Sequence, residues 1–216
     1  MTKPVITAYK WVPPFAQGLV RDTRARWAFE EVGIDYDVDV IDLPYAKSEA
    51  HRRFQPFGQI PTYSDGKVEI FESGAIVLHI ASLAPGLLPD DAARSAAAVQ
   101  WAIAALNSIE PFVQQLAVVD VFEADRDWSK ARRPKVIDDL KARLGDLEAA
   151  LDRKEWLDGV GFTAGDLMMV SVLRALRGTG ILDELPALAA YVARGEARPA
   201  FNRALADHMA VFANAA

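Results

Sequence analysis

The 216-residue chain carries a net charge of −6 and no cysteine. Lacking thiols, it has no disulfide framework, no thiolate-held zinc, no iron–sulfur cluster and no thiol nucleophile of its own; its three histidines, His51, His79 and His208, argue against a histidine-rich metal site. An acidic balance argues against an extended nucleic-acid footprint.

No apolar run approaches the ~18 residues of a membrane span, and MTKPVITAYKW lacks the apolar core of a signal peptide. These features predict a cytoplasmic protein with no membrane or nucleic-acid partner. Pro4 to Trp11 reads as a strand. Val12-Pro13-Pro14-Phe15 is not regular helix, because each proline restricts the residue before it. A helical pattern runs from about Gln17 to Val32 and stops at Gly33. Tyr36 to Val40 alternates apolar and acidic residues, as a half-buried strand does. A short helix is expected near Lys47 to Arg53. Thr62–Ser64 and Lys67–Phe71 flank Asp65-Gly66, a hairpin signal, and Glu72 to Leu83 is helical. The first unit is therefore α/β.

Ala84-Pro85-Gly86-Leu87-Leu88-Pro89-Asp90 reads as a linker. Beyond it the chain is alanine-rich and helical, with one or two helices over Asp91–Val119 and an expected kink at Pro111. Further helices are expected over Pro134–Asp152, Leu167–Arg177, Leu185–Arg194 and Pro199–Phe212. The division is 1–84 for an α/β domain and 91–216 for an all-α helical-bundle domain.

Three places carry chemistry. Proline at Ile60-Pro61 cannot donate a ladder hydrogen bond; it is either a trans residue at a sheet edge or a cis turn whose unpaired backbone groups receive a peptide-like ligand as an added strand. At Glu72-Ser73 a strand gives way directly to a helix. Ser73 there is either an ordinary N-cap or, with the helix dipole and Glu72, a site for an α-amino acid end. Thr163 and Asp166 form an S/T-x-x-D/E capping pattern with a role in folding.

PFGQIPTYSDGKVEIFESGAIVLHIA, WLDGVGFTAGDLMM and RPAFNRAL, in this order, resemble the glutathione-site segment, the helical capping motif and the C-terminal helix start of the glutathione transferase superfamily. The resemblance implies a thioredoxin-like N-terminal domain joined to a helical domain. It implies that Pro61 is cis, that Ile60 pairs by backbone with the cysteinyl part of glutathione, that Glu72 and Ser73 hold the γ-glutamyl end, and that Gln59 contacts the peptide. It implies no metal. Where relatives place an activating Tyr, Ser or Cys, this chain departs from them. Aligned on the common run S-P-F-S-Q, the hydroxyl position is Pro13; counted back from Gly33 it is Leu19. Tyr9, Gln17 and Arg21 are the remaining candidates to stabilise a thiolate, alongside backbone N–H groups. Trp11, Phe15, Trp101, Asn107 and Phe112 are candidates to contact an apolar electrophile.

The implied activity is conjugation of glutathione to small hydrophobic electrophiles, a detoxification chemistry, by a homodimer. Alternatives are a glutathione-dependent disulfide reductase or isomerase, and a noncatalytic scaffold on the same fold.

Overall fold

A computed structural model describes residues 2–213, which form two compact units: residues 2–89 with 197–213, and residues 90–196. The first unit is built on a four-stranded sheet of β1 (Val5–Tyr9), β2 (Asp37–Ile41), β3 (Thr62–Ser64) and β4 (Glu69–Phe71), in the order β2-β1-β3-β4. β1 runs parallel to β2 and antiparallel to β3, and β3 and β4 form a hairpin. The parallel pair needs a crossover, supplied by α1 (Asp22–Val32), which ends at Gly33 in the left-handed conformation. This is the thioredoxin-like layout expected from the sequence.

Five features of this unit differ from the expectation. The first strand is Val5–Tyr9, shorter than Pro4–Trp11. α1 starts at Asp22 rather than Gln17, because Pro14–Ala16 closes a single 3-10 turn, Gln17 is extended and Gly18 has φ 78°. The helix near residue 47 is two single turns, α2 (Leu43–Ala46) and α3 (Glu49–Arg52). Each has its own cap, Asp42 Oδ1 accepting from the Tyr45 amide and Ser48 Oγ from the His51 amide. Ser73 is the first residue inside α4 (Ser73–Leu83), and Glu72 occupies the N-cap without a side-chain capping bond. Finally α10 (Pro199–Ala213), assigned by sequence to the helical domain, belongs to the first unit. Its stripe Phe201, Ala204, His208 and Phe212 is buried. Phe201 meets Trp27 of α1 edge-on at 4.9 Å, and Arg198 grips Glu31 with two bonds of 2.6 and 2.7 Å.

The second unit is helical: α5 (Ala92–Ala104), α6 (Glu110–Ala117), α7 (Asp127–Leu151), α8 (Ala164–Leu173) and α9 (Pro186–Glu196). A π-helical turn at Ala105–Ile109 joins α5 to α6, so that Pro111 falls in the first turn of α6, where a missing N–H costs little. A second such turn, Val118–Phe122, follows α6. Within Ala92–Phe122 an 18-residue window has a mean hydropathy of 1.3, so this stretch is long and apolar enough to cross a bilayer by length and composition, contrary to the expectation of no such segment. Part of its apolar content is core: Ala98, Ala102, Ala105, Ile109, Val113, Leu116 and Val119 are buried.

α7 begins seven residues before Pro134, the expected start. Pro134 lies inside it. Arg132 holds Gln115 at 2.7 Å, and Arg133 holds both oxygens of Asp120 at 2.6 and 2.9 Å. These contacts tie down the turns that the proline weakens.

The capping box at Thr163–Asp166 is present. Asp166 is fully buried. Its carboxylate accepts from the amides of Leu157 and Thr163 (both 2.9 Å), the Thr163 hydroxyl (3.0 Å) and the Tyr191 hydroxyl (2.9 Å). Burial nevertheless pushes its pKa up, against these hydrogen bonds. Asp166→Ala strands several buried donors at about 1–3 kcal/mol each, whereas Thr163→Ala removes one capping interaction worth about 0.5–2 kcal/mol. Urea unfolding is expected to rank Asp166→Ala well below Thr163→Ala in stability.

Candidate functional site

Two backbone registers gather the candidate residues of the first unit. Val5 pairs with Ser64 and Ile6 with Tyr63, so β1 runs toward Tyr9 as β3 runs back toward Pro61. Thr62 pairs with Phe71, so Ile60-Pro61, just before β3, lies beside Glu72-Ser73, just after β4. Tyr9, Ile60, Pro61, Glu72 and Ser73 thus come to one end of the sheet. Ile60 also joins Ile41 and Ala46 in a small apolar cluster against which Tyr9 and Val20 pack.

The Ile60–Pro61 bond is cis. Around it the backbone is tied by side chains. The Thr62 amide donates to Thr7 Oγ1 at 2.8 Å. Gln55, 2% exposed, accepts from the amides of Phe57 (2.7 Å) and Gln59 (3.3 Å) through one oxygen. His51 Nε2 donates to the Gln59 carbonyl at 2.7 Å. Gly58, at φ 63°, permits the tight turn: a Cβ there would lie 2.9 Å from the Ala46 carbonyl oxygen. The exposed side chain of Gln59 stands on this frame.

Glu72 is exposed and has φ 71°, ψ 117°, a strained conformation for a residue with a side chain. Ser73 is buried, and its Oγ accepts from Arg24 Nη1 at 3.1 Å. A serine oxygen that accepts retains its own O–H to donate. The first amides of α4 point out of the helix end. The arrangement concentrates donors and positive potential where a carboxylate would sit, with Glu72 at hand for a cation.

The loop 10–21 is irregular. Gln17 Nε2 reaches back to the Val12 carbonyl at 3.3 Å, and Arg21 is the half-buried residue that opens α1. Pro13 and Leu19, the two positions matched to the family's hydroxyl, offer no side-chain donor. Burial pushes the Tyr9 phenol pKa up, keeping it protonated. Trp11 and Phe15 are 61% and 54% exposed.

The other three candidates lie in the second unit. Trp101 of α5 is half-buried against α8: a Cβ placed on Gly165 would approach the Trp101 Cβ to 2.6 Å. Asn107 is exposed in the first π-helical turn. Phe112 of α6 is half-buried, with the Arg143 guanidinium 5.0 Å above its ring. Among the described residues no three His, Asp or Glu side chains group as metal ligands do. Sequence reasoning missed Arg24, His51 and Gln55. Gln55, next to a proline in turn chemistry, gave a weak signal, and the other two gave none.

The sequence profile of the glutathione S-transferase N-terminal domain matches residues 5–82. Glutathione S-transferase 4 of Zea mays is 29% identical over 229 residues, covering 100% of this chain and 98% of its own. Glutathione S-transferase 1 of the same plant is 31% identical over 199 residues, covering 85% and 90%. Among solved structures, a glutathione transferase from Burkholderia graminis with two glutathione molecules bound per subunit superposes with a TM-score of 0.81 at 25% identity, covering 94% of this chain and 87% of that one.

Gln55→Leu keeps most of the side-chain volume and removes the oxygen that two amides share. We expect a loss of about 1–3 kcal/mol in denaturant unfolding, with faster amide exchange at Phe57 and Gln59.

Proposed function

Because the chain belongs to the glutathione S-transferase family, we propose that it binds glutathione at the sheet end bearing Pro61 and Ser73 and conjugates its thiolate to small hydrophobic electrophiles. The observation that carries this reading is the meeting, through the β1–β3–β4 registers, of a cis-proline edge with the N-terminus of α4. The extended cysteinyl backbone of glutathione pairs with Ile60, as an added strand would, and Gln59 contacts the peptide. The γ-glutamyl carboxylate takes the Ser73 hydroxyl and the α4 amides, with the Arg24 charge behind them. Its ammonium goes to Glu72.

The thiol then falls to the loop 10–21. Tyr9, Gln17, Arg21 and the loop amides are the groups that stabilise it. The thiolate attacks the electrophilic carbon, the carbon–sulfur bond forms and the leaving group departs with the electron pair. Within the first unit, Trp11 and Phe15 supply apolar surface for the electrophile. We also assign a homodimer contact to α5, where Val99 and Ile103, one turn apart, are 36% and 45% exposed.

Two glutathione molecules per subunit in the Burkholderia graminis protein favour one second reading. One glutathione thiolate would attack a mixed disulfide of glutathione, yielding oxidised glutathione and the freed thiolate, with no protein cysteine needed. Conjugation of a chlorodinitroarene, assayed beside reduction of a mixed disulfide, separates the two.

Calorimetric titration with glutathione is the direct test, and no binding at millimolar concentration overturns the reading in favour of a scaffold. Ser73→Ala removes a hydrogen bond to a charged group, worth about 1.5–3 kcal/mol, so the dissociation constant should rise about tenfold or more. Tyr9→Phe should lower kcat more than affinity if the phenol is the activator; an unchanged kcat assigns activation to Gln17, Arg21 or the backbone. Ile103→Asp should shift a dimer toward monomer in sedimentation.

A further inference from the structure

α1 opens on a carboxylate inside the protein. Asp22 is fully buried, and so is Arg26 one turn later. Buried charges persist only when paired. Arg26 Nε donates to Asp22 Oδ2 at 2.8 Å, and its Nη1 pairs with Asp207 of α10. The same Asp22 oxygen lies 3.0 Å from Nδ1 of His208, one residue beyond Asp207 and 1% exposed. The other ring nitrogen, Nε2, lies 3.1 Å from the backbone nitrogen of Gly18.

This geometry fixes the tautomer. A backbone N–H only donates, so His208 Nε2 is the acceptor and the ring proton sits on Nδ1, directed at Asp22. The chain of donors runs from Gly18 through His208 to Asp22, and the buried carboxylate holds the imidazole in the form that accepts the Gly18 amide. Edge-on contact with Phe212, centroids 4.9 Å apart, fixes the ring plane.

Gly18 is the buried centre of the irregular loop and has φ 78°. The bonds from Ala16 to Pro13, Gln17 to Pro14 and Leu19 to Ala16 are all local. His208 instead ties the loop to a helix 190 residues further along the chain. Two residues past Gly18, Val20 packs on the cluster containing Ile60. The anchor therefore sets where Gln17, Arg21 and the intervening amides stand relative to the cis-proline edge.

We propose that His208, oriented by Asp22, is a positioning residue for the glutathione thiol: it holds the loop 10–21 in register with Ile60, so that the groups stabilising the thiolate meet the sulfur. The inference rests on the glutathione reading above. It assigns to α10 a role in the chemistry of the first unit.

Two near-isosteric substitutions separate the two ring nitrogens. The amide nitrogen of His208→Asn falls near Nδ1, keeping a donor to Asp22 but ending short of Gly18. The amide oxygen of His208→Gln falls near Nε2 and retains an acceptor for Gly18. With glutathione and a chlorodinitroarene, His208→Asn should lower kcat about tenfold, the scale of one lost positioning bond, with KM for glutathione changed less than about twofold. The pKa of the bound thiol, read from its ultraviolet thiolate absorbance against pH, should rise. Amide exchange should quicken in residues 12–21 and stay slow in α10. His208→Gln should restore kcat to within about threefold of the parent protein. The proposal is overturned if His208→Asn leaves kcat and the thiol pKa unchanged, if both variants fail alike, or if α10 loosens together with the loop, which would mark a purely structural role. If the unaltered protein binds no glutathione by calorimetry, the transferase reading itself falls; binding with unaffected variants removes only the role of His208.

Discussion

Thr7 and Thr62 face each other where β1 and β3 run antiparallel, and Thr7 Oγ1 takes the Thr62 amide at 2.8 Å. The bond pins the register at the point where the strand emerges from proline. Register is all-or-none in its effect, since a one-residue slip turns every side chain to the opposite face. Here a slip would carry Tyr63, 1% exposed, out of the core and move Ile60 away from Tyr9 and Val20. The β3–β4 pairing extends the same order to Glu72 and Ser73. Three stretches far apart in sequence become one site because two short strands have a single acceptable alignment.

α1 carries the price of this arrangement. Its first two turns are buried all round, holding Asp22, Arg24 and Arg26 beside Ala25, Trp27, Ala28 and Phe29. Each of these side chains has a specific partner, although Asp22 Oδ1 and Arg26 Nη2 are buried without one. Arg24 reaches Ser73, and Arg26 lies between Asp22 and Asp207. Apolar residues of similar volume could serve stability as well or better. What they could not do is project a cation under the first turn of α4 or fix a histidine tautomer. The pattern is that of a helix whose interior charges address the segments around it, and it explains why α10 packs on α1 so extensively in polar as well as apolar terms.

Periodicity and turn chemistry reveal the order of strands and helices, because Tyr36–Val40 alternates with period two, the helices carry apolar stripes and the Asp65-Gly66 turn is strongly coded. The capping box was legible for the same reason: its donors and acceptors lie within four residues. The start of α1 was not. Its apolar pattern continues through Leu19 and Val20, while the break depends on the positive φ of Gly18, which composition does not reveal. Pro134 points in the opposite direction, because Arg133, paired with Asp120 13 residues earlier, holds the turn that precedes it. Arg24 and His208 give no sequence signal as site residues because their partners lie outside any local window, 49 residues away for Arg24 and 190 for His208. The membership of α10 was hidden likewise: its apolar stripe announces a helix and says nothing of which surface will cover it.

A chain without cysteine must receive its sulfur from the ligand, under the proposed reading, and this changes what the protein has to supply. A free thiol of pKa about 8.5 is roughly 3% thiolate at pH 7, and lowering that pKa by two units raises the fraction to about three quarters, at a cost of ~2.7 kcal/mol of stabilisation. Nucleophilicity falls with basicity, with β about 0.4–0.5, so the roughly 25-fold gain in thiolate yields only about a threefold gain in rate. Holding two reactants in attack geometry is worth far more. The absence of a hydroxyl at Pro13 and Leu19 therefore removes a modest contribution. The larger one depends on rigid placement of the glutathione backbone and of the loop beside it. Under the same reading, His51, Gln55 and Arg24, buried around the cis-proline edge, and His208 behind Gly18 are the side chains that would supply that rigidity.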